Sequence, residues 1–338
     1  MTHESFLASI SLFSSLDMDE RRELLNLAEP FSFPAGTLIF DQGDLADGMY
    51  VLERGKVQLW ARLLGEEQIA LAQVGAGGVL GEFALIDHGT RSAAAEVIDL
   101  AQGYFFSQRR FELLHTDNRS AARKTMHELR LSLCQRLRAA SSELGESSPA
   151  FYEYTQRSMP PPPPDAPIRA PAADLDPLRL RALPFFSQFT AGELKSLLAP
   201  LSVWTLPRGY VLYSDGDPRG SAFATVRGAV EIIAGRGNQW RRQAILGPGR
   251  LFGLVAPLDG GPRETGAAVR EEAILLEIPE GDLHRHLQSE NATSRMLVDA
   301  MHAAMSEALR ATNRTLLAQS AMGRISHRKK RSRPPETA

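Results

Sequence analysis

The stretch Gly81-Glu82-Phe83-Ala84-Leu85-Ile86-Asp87-His88-Gly89-Thr90-Arg91-Ser92-Ala93 holds residue types that could grip a small anionic ligand carrying a sugar. A short helix opening near Gly81 would aim backbone N–H groups that lack intrahelical partners at a phosphate. Gly81 lets a ligand come close to the backbone. Glu82 can accept a hydrogen bond from a ribose hydroxyl, and the guanidinium fork of Arg91 can hold two phosphate oxygens. Ser92 and Ala93 are small enough for their own N–H groups to approach the same phosphate. The plainer alternative is an ion pair between Glu82 and Arg91 across a surface turn.

The flanking elements decide whether these groups can converge. Residues 13–29 read as a helix capped by Asp17, with Glu20 three residues later and Pro30 as its stop. From about Gly36 to Phe106 the pattern becomes short β runs, at 37–40, 48–52, 57–60, 69–71 and 94–97, separated by turns rich in Gly and Asp. Many short strands so punctuated predict a closed roll or jelly roll. A long helical stretch is expected from Arg109 to Glu143, with Phe111, Leu114, Met126, Leu129, Leu133 and Leu137 at helical spacing.

The 338 residues leave room for two domains, and 43% hydrophobic content is ordinary for a globular chain. A formal net charge of −2 supplies no bulk attraction to nucleic acid or anionic membrane. The single cysteine, Cys134, permits no intrachain disulfide and suits a reducing compartment. The N-terminus lacks the pattern of a signal peptide, and no apolar run reaches the length of a membrane span. The sequence therefore predicts a cytoplasmic protein.

Residues 147–174 are rich in proline, including the run Pro160–Pro164, and read as an extended linker. Beyond it the chain repeats itself. Phe13 corresponds to Phe186, Gly36 to Gly209, Gly43 to Gly216 and Gly55 to Gly228, each 173 residues apart. After one deletion Gly81 falls on Gly253 and Arg91 on Arg263. A repeat of this length is a duplicated domain. The expected organisation is a first domain at 1–146, the linker at 147–174, a second domain at 175–320 and a basic disordered tail at 321–338. The segment 323–335 carries six Lys or Arg residues, which makes it a candidate nucleic-acid contact, although a solvated tail is the plainer reading.

Gly81, Glu82, Ala84, Leu85, Arg91, Ser92 and Ala93 match the pattern G-E-x-A-L, a short loop, then P-R-[SAT]-A, with Thr90 in place of the usual proline. This closely resembles the phosphate-binding cassette of the cyclic nucleotide-binding domain family, which includes catabolite activator proteins and regulatory subunits of cAMP-dependent protein kinase. The resemblance covers roughly residues 10–140 and 183–315. It implies a mainly β fold with flanking helices: two jelly-roll-like β-rolls in tandem, each followed by a long helix. It also implies that Glu82 holds the ribose 2′-hydroxyl and Arg91 the cyclic phosphate. Gly81, Phe83, Ala84, Ser92 and Ala93 would complete the site, and cAMP or cGMP would be the ligand. The base would meet the following helix, where Gln135, Arg136 and Arg138 are candidate contacts.

The second copy departs from the pattern where the chemistry is. Leu254 stands in place of the ribose-binding glutamate, Glu264 follows Arg263 where a small residue is expected, and Pro257 is expected to disturb the short helix. A degenerate site of Gly253, Arg263 and Thr265 remains, with a different anion as the rival ligand. His284-Arg285-His286 lacks metal-ligand spacing and reads as a surface helix. No nucleophile elbow, metal-spaced cluster or P-loop is found, so no enzymatic activity and no metal are expected. In the transcription factors of the family a helix-turn-helix domain of ~70 residues follows the long helix, and the kinase subunits carry a docking segment. Neither pattern is visible here, so a protein partner or a homo-oligomer is the expected output. A scaffold that binds no nucleotide and a regulator touching nucleic acid through the basic tail are the competing readings.

Overall fold

The computed structural model describes residues 3–62, 68–87, 89–117, 119–146, 166–236 and 239–331. It divides into two compact units, Met1–Ser132 with the stretch from Leu317, and Leu133–Leu316.

The first unit opens with α1 (His3–Ala8) and α2 (Met18–Leu25). Eight strands follow: β1 (Ala28–Phe33), β2 (Leu38–Phe40), β3 (Gly48–Arg54), β4 (Val57–Arg62), β5 (Gln68–Val74), β6 (Val79–Leu80), β7 (Ala94–Val97) and β8 (Ala101–Ser107). Helix α3 (Gln108–Thr116) comes after them, then α4 (Ser120–Glu146), whose residues from Leu133 belong to the second unit. The strands form two four-stranded sheets, ordered β1-β8-β3-β6 and β2-β7-β4-β5, with every pairing antiparallel. Their inner faces enclose Leu52, Val57, Leu80, Ala95, Val97 and Ala101, with Phe31, Phe33, Ile39, Phe40 and Tyr50 packed around them. This is the roll that the strand pattern predicts.

Two expectations are corrected. Residues 13–29 do not form one helix: α2 ends at Leu25, and β1 takes Ala28–Phe33, Pro30 included. Pro30 is tolerated because β1 lies at the edge of its sheet. The helical stretch after the roll is two helices, α3 and α4, rather than one.

The second unit contains β9 (Ile168–Pro171), α5 (Pro177–Leu180), α6 (Ala191–Leu198), β10 (Ser202–Leu206), β11 (Val211–Tyr213), β12 (Ala222–Arg236), β13 (Gln239–Leu246), β14 (Leu251–Phe252), α7 (Val255–Asp259), β15 (Gly266–Ile278), α8 (Glu280–Gln288) and α9 (Ala292–Arg331) as far as Leu316. Its strands form a seven-stranded antiparallel sheet, ordered β13-β12-β15-β10-β9, with β11 on β15 and β14 on β12. Here β12 does the work of β3 and β4 together, and β15 that of β7 and β8. Register shifts between Thr225 and Val230 let the long strands bend around the core. That core holds Leu206, Val230, Phe252, Val269 and Leu275.

The repeat is written in the backbone as well as the sequence. Phe13 and Phe186 are both fully buried. Gly55 and Gly228 both have positive φ, 94° and 78°, and a side chain at either would overlap a carbonyl, of Leu100 or of Glu272. The capping boxes of α2 and α6 also correspond: Asp17 with Glu20, and Thr190 with Glu193. Each box glutamate also accepts a hydroxyl from the helix that closes its roll. Ser120 Oγ donates to Glu20 Oε1 at 2.6 Å, and Thr293 Oγ1 donates to Glu193 Oε1 at 3.5 Å.

The stretch read as linker is only partly within the described residues. Residues 147–165 lie outside them, whereas Ile168–Pro171 pair with β10 as an edge strand. Edge position again accommodates the proline, since Pro171 closes the strand. The end of the chain is also corrected. α9 runs to Arg331 where an unstructured tail was expected from 321, because Ala321, Met322, Arg324, Lys329 and Lys330 are good helix formers and a lone Gly323 costs only ~1 kcal/mol. Residues 332–338 lie outside the described residues.

Candidate functional site

β6 delivers the chain to Gly81, which adopts φ 67°, ψ 28° in the left-handed region. A four-residue 3-10 turn, Glu82–Leu85, follows. Ala84 and Leu85 within it and Ile86 after it are buried, and Phe83 is half-buried. Glu82 is only 7% exposed although it is a carboxylate. The Ala84 N–H donates to the Gly81 carbonyl at 3.0 Å, so that donor is engaged by the turn itself. Asp87 Oδ1 then accepts the Gly89 N–H at 3.0 Å, folding the loop towards Arg91.

Arg91 is held from two directions. Its backbone is sewn to the preceding turn: Arg91 N–H donates to Asp44 O at 2.8 Å, and Gly43 N–H donates to Arg91 O at 2.9 Å. Its side chain is 3% exposed and lies over the Phe40 ring at 4.2 Å. Nη1 donates to Gly81 O at 3.3 Å and Nη2 to Asp47 Oδ1 at 2.6 Å, while Nε is buried without a hydrogen-bond partner. A methyl group on Gly81 would overlap Nη1, so the glycine is required twice, by its φ and by the guanidinium. The structure thus brings Arg91 against Gly81; Glu82, Ala84 and Ala93 are buried nearby in the chain, Phe83 is half-buried and Ser92 is exposed. Glu82 and Arg91 are not spent on a surface ion pair with each other; the recorded ionic partner of Arg91 is Asp47.

Sequence reasoning missed Asp47. Its side chain is 68% exposed, and 44 positions separate it from Arg91. No local pattern marks it; only the pairing of the loop before β3 with the loop before β7 brings the two together.

The second cassette has the same backbone. Gly253 has φ 68°. Arg263 N–H donates to Asp217 O at 2.8 Å, and Gly216 N–H donates to Arg263 O at 2.9 Å. Its guanidinium, also buried, sits 4.1 Å above Tyr213, the counterpart of Phe40, and donates to Gly253 O at 2.9 Å and Ser221 O at 2.7 Å. Thr265 is buried beside it, and burial pushes the pKa of the Tyr213 phenol up. α7 forms despite Pro257, because the proline falls in the first turn, where its missing N–H is not needed. His284 braces that helix through Nε2 and the Pro257 carbonyl at 3.0 Å.

The side chains differ where the ligand chemistry lies. Leu254 is 4% exposed at the position of Glu82 and packs into the core, where an apolar side chain contributes ~1.5–3 kcal/mol. Gly220 replaces Asp47, so the guanidinium is satisfied by carbonyls rather than by a carboxylate. Glu264 Oε2 is buried without a hydrogen-bond partner. Burial raises its pKa, against the pull of Arg138 and Arg263. Arg138, a candidate base contact by sequence, is found elsewhere, with Nε and Nη2 on the two carboxylate oxygens of Asp259 at 2.6 and 2.7 Å.

Cys134 is fully buried in α4, and His284 and His286 lie on α8. Among the described residues no group of three or more His, Cys, Asp or Glu could hold a metal ion, and no helix is long and apolar enough to cross a membrane.

A cyclic AMP receptor protein of Thermus thermophilus is 33% identical over 140 residues, which is 39% of this chain and 60% of that protein. The type II regulatory subunit of cAMP-dependent protein kinase of Drosophila melanogaster is 34% identical over 93 residues, 27% of this chain and 24% of that protein. This chain therefore matches less than two thirds of the length of either relative. The regulatory domain of Toxoplasma gondii PKA, solved with cAMP, aligns over 87% of this chain and 93% of its own at 15% identity, with a TM-score of 0.32. Residues 30–118 and 203–290, which contain the two cassettes, both match the profile of the cyclic nucleotide-binding domain. The chain belongs to the cyclic nucleotide-binding domain family and carries two such domains in tandem.

Proposed function

We propose that the chain is a cytoplasmic cyclic nucleotide sensor whose first domain, residues 1–146, binds the ligand and whose second, residues 175–320, does not. Glu82 takes the ribose 2′-hydroxyl and Arg91 the cyclic phosphate, with Gly81, Phe83, Ala84, Ser92 and Ala93 forming the rest of the wall. The observation that carries this reading is the pair of buried ionic groups in the first cassette. A carboxylate 7% exposed and an arginine 5% exposed flank a left-handed glycine; the second cassette keeps a buried arginine, Arg263, but has Leu254 in place of the carboxylate and Glu264 in place of Ser92. An anion entering the first cassette replaces one exposed carboxylate, Asp47, as the partner of Arg91. In the second it would meet the bulk of Glu264 where a small residue is needed and find no acceptor for the sugar.

Both curated relatives named above carry cAMP in their names, which favours cAMP over cGMP. The response passes to a partner protein or to a second copy of the chain by shifting an equilibrium between two states, to the extent that the nucleotide prefers one of them. Displacement of a fluorescent cAMP analogue from the full chain tests the proposal. Cyclic nucleotides should displace it and 5′-AMP should not. Failure of the analogue to bind saturably contradicts the reading and favours the scaffold.

A further inference from the structure

Asp259 ends α7 in the second cassette, at the position of Asp87 in the first, and both aspartates fold their loop by the same bond, to the N–H of Gly261 or Gly89. Asp259 takes a further partner. The guanidinium of Arg138, on the C-terminal half of α4, grips it with two parallel hydrogen bonds of 2.6 and 2.7 Å, and Nη1 adds a third to the Pro262 carbonyl at 2.7 Å. Glu264 lies within electrostatic reach of Arg138, although burial holds its pKa above the ordinary carboxylate value. Both partners of the pair are largely shielded, with 26% and 14% of their side chains exposed.

Two further features fit the loop to this occupant. A methyl group on Gly261 would stand 2.5 Å from Arg138 Nη2, so the glycine leaves the space that the guanidinium fills. One turn further along α4, Ser141 Oγ donates to Gln243 Oε1 at 3.3 Å, and Gln243 Nε2 donates to Thr312 Oγ1 at 2.8 Å. Gly145 then passes the backbone of Gly235 so closely that a Cβ would lie 2.8 Å from its Cα.

We infer that the second cassette has exchanged an anionic ligand for a cationic one, and serves as a receptor for residues 133–146 of α4, with Asp259 as the anchor for Arg138. The substitutions that remove nucleotide chemistry are then one change rather than several. Glu264 sets a second carboxyl group within electrostatic reach of Arg138, and loss of the carboxylate at 254 empties the ribose side, which a helix does not use. The grip itself is independent of the proposal that the first cassette binds cyclic nucleotide. Its regulatory consequence rests on that proposal: α4 is continuous from Ser120, so a nucleotide that shifts the helix works against Asp259, and the coupling is reciprocal.

Hydrogen exchange on the ligand-free full chain tests the grip. Arg138→Met keeps the helix and the length of the side chain but removes the charge. Gly261→Ala pushes the guanidinium out from the other side. Each should raise exchange in 133–146 and 256–263 by about tenfold or more, leaving β3 and β8 unchanged. The exchange of charges Arg138→Asp with Asp259→Arg should restore protection. Unchanged exchange in both single variants overturns the inference, since helix packing alone would then hold the segment. In a second arm cAMP is titrated into the same variants, which should change its affinity by about threefold or more, equally for both. Faster exchange with unaltered affinity overturns the coupling and leaves the grip. If even the parent chain fails to bind cAMP, the proposed function falls while the exchange result still decides the receptor role.

Discussion

Arg91 and Arg263 occupy the same place in two rolls, each turned back on the carbonyl of a left-handed glycine and each laid over an aromatic ring. What differs is the company they keep. Arg91 has an exposed carboxylate that an incoming phosphate can replace, and a buried Glu82 on the far side of the glycine. Arg263 is closed on two carbonyls, and its neighbours are Leu254 and Glu264. A duplicated backbone therefore preserves the geometry of a site without preserving its chemistry. Three side chains decide which copy invites an anion.

The sharpest way to break the comparison is to remove the two arginines in turn. Arg91→Ala should lose about 2–5 kcal/mol of cAMP binding, measured by calorimetry on the full chain. Arg91→Lys should also bind poorly, because a point charge cannot reproduce the fork. Arg263→Ala should leave the affinity unchanged and lower the melting temperature of its own roll; an equal loss of affinity would make the two cassettes alike. Next in size, Glu82→Ala should cost about 1–3 kcal/mol, and a 2′-deoxy cyclic nucleotide should lose little further in that variant. Smaller again, Asp47→Asn removes the exposed partner with which phosphate competes. It should strengthen cAMP binding by about 0.2–1 kcal/mol, the ordinary worth of an exposed pair; weaker binding would instead give Asp47 a role in holding Arg91 in place.

A further contrast lies where each roll meets its closing helix. Glu20 would have its pKa raised by burial, but hydrogen bonds from Lys124, Ser120 and the Asp17 N–H outweigh this and hold it at about 2, below its ordinary 4.5. In the second roll Thr293 repeats the contact of Ser120, while Leu297 stands where Lys124 would be. A carboxylate depressed in the folded state gives its stabilisation above pH 4.5 and loses it as pH falls from there towards 2. Glu20→Gln should flatten that part of the stability profile, measured by thermal unfolding between pH 5 and pH 2. An unchanged slope would show that the Lys124 pair does not hold α4 in solution.

Much of this was legible in the sequence because it is local. The cassettes, the capping box of Asp17 and Glu20, and most strands of the first roll depend on residues a few positions apart. The repeat could be read because glycines with positive φ tolerate little else. β1 was not legible, since Pro30 between apolar residues reads as a helix stop until the strand is known to lie at a sheet edge. Asp47 and Asp259 were not legible either. Their partners lie 44 and 121 positions away, and only the folded chain selects them from many other charged residues.

Calorimetric titration of the full chain with cAMP, repeated with cGMP, tests the central contrast most directly. One site per chain, lost in Arg91→Ala and retained in Arg263→Ala, is the predicted result. Two sites would contradict the reading of Leu254 and Glu264 as a closed cassette, and no site with either nucleotide would contradict the assignment of the first.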